Sequence, residues 1–201
     1  MANLLTLLDE LKSEVRINAM FCEYLVEFDV RSKPYQEIMT INYINGDATA
    51  PKADGHQMIA HVCNDIGRWG KGFVLPLSQR WRAPEIAFKT AFSNGNSLNL
   101  GEVQFIKVAS DITVANMIGQ HKIATRFTSN APPPIRYPAI EQCLTRLAEY
   151  ALTEHASIHM PRIGCGLAGG KWELIEAMIE QRLSSVGLAV FVYGYAEHAE
   201  S

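Results

Sequence analysis

The chain predicts an α/β fold: a three-layer α/β/α sandwich around a mixed, mostly parallel central sheet. Short apolar runs that read as buried strands alternate with segments of helical spacing. Two glycine-rich turns each follow such a run and lead towards a helix. With 48% hydrophobic and 19% charged residues among 201, the chain has the composition of a globular protein with a substantial core.

The elements follow in order. Residues 3–16 predict a helix, because Leu4, Leu8, Leu11 and Val15 share one face. Residues 21–30 read as an extra strand. Residues 39–44 alternate as a strand and run into Asn45-Gly46-Asp47, a turn signal. Residues 57–62 form a short apolar strand, and 73–81 a helix. Residues 103–109 and 113–118 are two more strands, with Ser110-Asp111 as the turn between them. The stretch 128–138 holds Pro132-Pro133-Pro134 and excludes regular helix or central strand. A long helix follows, with Ile140, Cys143, Leu144 and Leu147 at helical spacing. Residues 157–160 are a buried strand, 172–183 a helix and 188–193 the last strand. This divides the chain into an extension over 1–38 and a main domain over 39–201.

Bulk properties exclude several classes. The net charge of −3 gives no global case for binding nucleic acid or an anionic membrane. Cys22, Cys63, Cys143 and Cys165 are widely spaced without a CxxC pair, which reads as reduced thiols in a cytoplasmic protein. Six histidines and four cysteines show no zinc spacing, so neither a metal nor a cofactor is expected. No apolar stretch approaches the roughly 20 residues of a spanning helix, and the N-terminus lacks a signal-peptide pattern.

The chemistry concentrates in the two turns. The first is His61-Val62-Cys63-Asn64-Asp65-Ile66-Gly67-Arg68-Trp69-Gly70-Lys71-Gly72. The second is Met160-Pro161-Arg162-Ile163-Gly164-Cys165-Gly166-Leu167-Ala168-Gly169-Gly170. Each presents bare backbone N–H groups ahead of a helix, an anion-binding arrangement. Both fall at the carboxyl ends of strands, where open α/β sheets bind ligands, and two of them suit a ligand with two phosphates. Standard nucleotide motifs fail. The second turn matches G-x-G-x-x-G, but only one strand follows it, leaving no second βαβ half. The first has Asp65 where a phosphate-binding loop of the Walker type needs glycine, and Gly72 where it needs Ser or Thr.

Single residues carry two readings each. Asp47 is a turn-capping residue or an acceptor for an exocyclic amine. Asn64 satisfies loop backbone or holds ribose hydroxyls. His61 ends an apolar strand and is a hydrogen-bonded core residue or an acid–base group. Tyr193 and Tyr195 close the last strand, as packing or as a stacking surface for a base.

Together these residues resemble the macrodomain family, whose members bind ADP-ribose. The resemblance covers roughly residues 41–195. His61-x-Cys63-Asn64 with Gly67-x-Trp69-Gly70-x-Gly72 is similar to the first loop of the branch containing terminal ADP-ribose protein glycohydrolase and the fungal-type ADP-ribose-1″-phosphate phosphatase. Pro161-Arg162-Ile163-Gly164-Cys165-Gly166-Leu167, with Trp172 shortly after, is similar to its second. The resemblance implies that Asp47 accepts from the adenine amino group and that Asn64 faces the distal ribose. Trp69 and Phe73 join the ligand-binding set, with Gly70, Lys71 and Gly72 flanking ribose and phosphates. Gly164, Cys165, Gly166 and Leu167 wrap the pyrophosphate, Gln120 and Ala168 belong to the ligand-binding set, and Tyr193 or Tyr195 covers the adenine.

The departures concern catalysis. Gln120, with His121 beside it, stands where the glycohydrolase has a lysine, and Ala168 where it has an aspartate. His61 matches a histidine of the phosphatase-like members, and Asp65 is the nearest carboxylate to assist it. The expected function is therefore ADP-ribose binding with hydrolysis of ADP-ribose-1″-phosphate or removal of ADP-ribose from a modified target. The alternatives are a non-catalytic ADP-ribose reader and a nucleic-acid-associated de-ADP-ribosylation module, with Arg68, Lys71, Lys122 and Arg126 as a basic rim. No membrane partner is expected.

Overall fold

A computed structural model of the chain describes residues 40–93, 97–124 and 132–194. The expected helix over 3–16, the strand over 21–30, Cys22, Arg126 and Tyr195 lie outside the described residues, as does the extension over 1–38.

Six strands form one sheet in the order β1-β6-β5-β2-β4-β3. They are β1 (Asn42–Asn45), β2 (Gln57–Asn64), β3 (Val103–Lys107), β4 (Ile112–Gln120), β5 (Ser157–Pro161) and β6 (Val190–Gly194). All neighbours pair in parallel except β3 and β4, which run antiparallel. The four helices are α1 (Val74–Arg80), α2 (Ala83–Ser93), α3 (Tyr137–Thr153) and α4 (Trp172–Arg182). A short 3₁₀ turn, Ser184–Val186, links α4 to the last strand.

The period-2 alternation of the central strands builds the three layers. Met58 and Ala60 of β2, with Ala115 and Met117 of β4, pack into the core that holds Ile140, Leu144 and Leu147 of α3 and Ile175 and Ile179 of α4. The intervening residues point the other way. Ile59 and Val114 meet Leu77 of α1, while Cys63 and Ile118 meet Phe88 of α2. Both faces of β2 are covered, so it reads as a continuous apolar run. β1 is the opposite case, an edge strand with all four residues exposed. Among the described residues no helix is long and apolar enough to cross a membrane.

The sequence reading and the structure differ in several places, and four of them have a clear physical reason. β2 continues two residues beyond the expected end, through Cys63 and Asn64, because β4 pairs with it that far. Tyr137 and Pro138 belong to the first turn of α3 rather than to the irregular stretch. A proline fits there, since the first turn has no intrahelical acceptor for its missing N–H. α2 is an unforeseen helix. Its buried residues are only Pro84, Glu85 and Phe88, so no apolar stripe announces it. Its local signals are Pro84 in the first turn and the Glu85–Lys89 contact one turn apart at 2.7 Å. Finally, β3 stops at Lys107, where Val108 and Ala109 both donate to Ile112 O and close the turn.

Leu147 is fully buried between α3 and the sheet. Leu147→Ala is expected to lower unfolding free energy by about 2–5 kcal/mol, from lost transfer energy plus the residual cavity. Urea denaturation checks it: the midpoint falls while the slope stays unchanged.

Candidate functional site

The parallel order β5-β2-β4 brings the two glycine-rich turns side by side over the carboxyl ends of these strands. They enclose a cavity of about 550 Å³. The first turn supplies Asn64 and residues 68–74; the end of β4 supplies Gln120, Ile123 and Ala124; the second turn supplies residues 161–164 and 166–168. His61, Val62 and Cys63 form the floor. Among the described residues, the lining carries the cations Arg68, Lys71 and Arg162 and no carboxylate.

The second turn is shaped by glycine. Gly164 and Gly169 stand at φ +70° and +71°, in the left-handed region that other residues rarely adopt. Gly170 N donates to Gly164 O at 2.8 Å, and Gly169 N to Gly166 O at 3.0 Å. A Cβ at position 170 would lie 2.7 Å from Gly164 O, so this closure requires glycine there. Among the described residues, the amide N–H groups of Gly164, Gly166, Leu167 and Ala168 find no protein acceptor. A loop with several unpaired N–H groups at a cavity is an anion cradle.

The first turn is held by Asn64. Its Oδ1 accepts from Arg68 N at 2.9 Å and Ile66 N at 3.2 Å, and its Nδ2 donates to Arg68 O at 2.6 Å. These bonds match the loop-backbone reading of Asn64, and its second Nδ2 N–H has no partner among the described residues. Trp69 Nε1 donates to Ser78 Oγ at 2.8 Å, and its ring packs on His61 and Phe88.

His61 is fully buried rather than half open. Its Nε2 lies 2.7 Å from Asn116 Oδ1. The Asn116 Nδ2 donates to Pro84 O and Gln104 Oε1, so Oδ1 faces the imidazole and His61 Nε2 carries the proton. Burial pushes the imidazole down to about 4, against the opposing effect of the Asn116 bond. Nδ1 keeps its lone pair, 3.8 Å from the Cys63 thiol. Burial pushes that thiol far up, so it is no nucleophile at neutral pH.

The expected partnership of His61 with Asp65 does not form. Asp65 Oδ2 instead meets His121 Nδ1 at 2.6 Å, and Oδ1 accepts from Lys122 N at 2.8 Å. Partial burial pushes the Asp65 carboxyl up, but the Lys122 amide and His121 outweigh it and hold the group below its usual range. The reason is strand pairing: Asp65 follows β2, and its own N–H bonds Gln120 O across the β2–β4 seam. Its side chain therefore reaches the β4 exit, away from β2's buried histidine.

The cavity gathers most of the remaining expected residues: Asn64, Trp69, Gly70, Lys71, Gly72, Phe73, Gln120, Gly164, Gly166, Leu167 and Ala168. Four of the expected residues stand apart. Cys165 turns its thiol onto Ile163 O, and burial pushes it up. Asp47 sits past β1 on the same sheet edge, accepting from the Thr49 amide and hydroxyl, each at 2.8 Å, with Arg80 at 3.7 Å. Tyr193 is buried, its hydroxyl 2.9 Å from His159 Nδ1, so the packing reading fits it better than a base-stacking surface. Asp65 is the fourth. Arg162, Ile123 and Ala124 were not foreseen as lining; only Arg162, inside the second motif, carried a signal. Among the described residues no group of His, Cys, Asp and Glu has the arrangement of a metal site.

No family model matches the chain. It is 48% identical to a macrodomain protein of Streptomyces coelicolor of known structure, with a TM-score of 0.67, covering 77% of this chain and 99% of that one. The chain belongs to the macrodomain family. It is 29% identical over 165 residues to an ADP-ribose 1″-phosphate phosphatase of Lodderomyces elongisporus, covering 77% of this chain and 99% of that protein. It is 30% identical over 164 residues to the chromodomain-helicase-DNA-binding protein 1-like of Mus musculus, but spans only 18% of that protein's length.

Two outcomes follow from this macrodomain's site. Gly170→Ala is expected to leave the fold intact but open the second turn; solvent exchange of the backbone amide at position 170, read by NMR, should be at least about tenfold faster than in wild type. The second concerns pH. His61 is held below its unfolded value of 6.5, so the unfolded chain binds a proton that the folded chain refuses. Stability is full above 6.5 and falls as pH drops towards about 4. His61→Gln should remove up to about 1.4 kcal/mol per pH unit from that slope. Urea denaturation at stepped pH checks it.

Proposed function

We propose that this macrodomain binds ADP-ribose and hydrolyses ADP-ribose 1″-phosphate. The observation that carries the reading is the electrostatic character of the cavity: among the described residues it has Arg68, Lys71 and Arg162 with no carboxylate, beside a loop of amides without a protein acceptor. That combination suits a diphosphate, because backbone dipoles and cations together neutralise it without a metal. The name and near-complete coverage of the fungal phosphatase support the choice of ligand and reaction. Asp47, past β1, takes the adenine amino group; its carboxylate has acceptor capacity beyond its bonds to Thr49.

In hydrolysis the amides of the second turn hold the phosphates and offset charge developing at the reacting end. Gln120 replaces a lysine and Ala168 a carboxylate, and the lining holds neither at those points. Among the described lining residues, His61 can accept a proton at neutral pH through Nδ1, whereas burial holds Cys63 protonated. Its low basicity predicts slow turnover.

The same absence of carboxylates favours a second reading, a non-catalytic ADP-ribose reader. Calorimetry and phosphate release separate the two. Wild type should bind ADP-ribose with micromolar affinity, and Asp47→Ala should bind at least about tenfold more weakly, the loss of a bond to a charged acceptor. Slow phosphate release from ADP-ribose 1″-phosphate, abolished in His61→Ala with binding retained, supports the hydrolase. Binding without release supports the reader, and no binding overturns both.

A further inference from the structure

Arg162 lines the cavity as an exposed residue, with its guanidinium set over two aromatic rings. Its guanidinium carbon lies 5.6 Å from the centre of the Trp172 ring and 6.0 Å from that of Tyr43. The two rings meet edge to face, 6.4 Å apart at 74°. Three separate elements thus converge: the exit of β5, the first residue of α4, and β1 at the sheet edge. The rings are themselves pinned. Trp172 Nε1 donates to the Tyr43 hydroxyl at 3.2 Å, and that hydroxyl donates to Glu176 Oε1. Among the described residues, no carboxylate lies within ion-pair distance of Arg162, and its guanidinium has no hydrogen-bond acceptor.

We propose that Arg162 is a ligand-binding residue, a guanidinium held against Tyr43 and Trp172 so that its N–H groups grip the phosphate oxygens of a nucleoside diphosphate in the cavity. The proposal rests on the ADP-ribose reading of the site and adds a side-chain cation to its amide cradle. A guanidinium stacked on aromatic faces keeps its donors free at the edge, in the fork geometry that matches phosphate. An ammonium offers no such plane, so lysine is not an equivalent here. Arg68 and Lys71 also line the cavity, but among the described residues neither has an aromatic support of this kind. Tyr43 and Trp172 act through Arg162 and are positioning residues.

Calorimetric titration with ADP-ribose, and its displacement by inorganic pyrophosphate, tests the assignment on the full chain. Arg162→Gln should weaken ADP-ribose by at least about tenfold, and Arg162→Lys should recover only part of that loss. Tyr43→Phe keeps the ring but loses both pinning bonds, and should weaken binding by about two- to threefold. Lys107→Gln, which removes an exposed charge on β3, controls for net charge and should bind as wild type. The pyrophosphate concentration needed for displacement should rise in the same order. Unchanged thermal midpoints show that the variants are folded; if Arg162→Gln unfolds, Arg162→Lys carries the test. ADP-ribose binding by Arg162→Gln within twofold of wild type overturns the proposal, as does full affinity in Arg162→Lys. A wild type that ignores ADP-ribose but binds pyrophosphate in an Arg162-dependent way overturns the functional reading and leaves this one standing.

Discussion

Much of the structure depends on one constraint, the burial of β2 on both faces and both edges. Its neighbours β4 and β5 pair with it in parallel, so each needs a crossover helix, and these helices become the two outer layers. Parallel pairing also places the exits of all three strands on one side. The glycine-rich turns lie beside each other because they are the exits of β2 and β5. The cavity is a consequence of that register rather than a separate feature.

Full burial also dictates the state of the polar groups on β2. His61 faces α1 and α2, among Trp69 and Phe73, where an imidazolium would be poorly solvated. Asn116, its neighbour on β4, resolves the problem by accepting from Nε2 while donating to Pro84 O and Gln104. The network ties β2, β3, β4 and the start of α2 together and fixes the histidine as a neutral group. The nearby turns, by contrast, hold amide donors at the cavity that have no protein acceptor among the described residues. Polar groups buried in the sheet are satisfied internally, as buried polar groups generally are.

The fold was legible because alternation and helical spacing report burial directly. Strands β2 and β4 through β6 and helices α1, α3 and α4 fall within a few residues of their expected places, and the glycine motifs identified the cavity's two walls. α2 was not legible, since a short helix that buries mostly Pro84, Glu85 and Phe88 leaves no periodic stripe. Side-chain partners were the weakest part of the reading. Asp65 is four residues from His61 in the chain, but strand geometry sends it to His121. Asn64 serves its own loop, a role its sequence position allowed without selecting it. Arg162 stood in a quoted motif, and nothing local says that Tyr43 and Trp172 flank it.

The sequence by itself determined the layer architecture and the two glycine-rich turns, and its loop motifs carried the resemblance to the macrodomain family. The first two follow from short-range rules: the period of apolar residues, and the backbone conformations that glycine alone adopts readily. Only the tertiary structure decided which distant charged and polar groups meet, such as Asn116 with Gln104, 12 positions apart, and Asn42 with Val190 O, 148 apart. Those contacts depend on strand register and helix placement, which no local pattern encodes. The protonation state of His61, the diversion of Asp65 and the aromatic support of Arg162 all arise at that level.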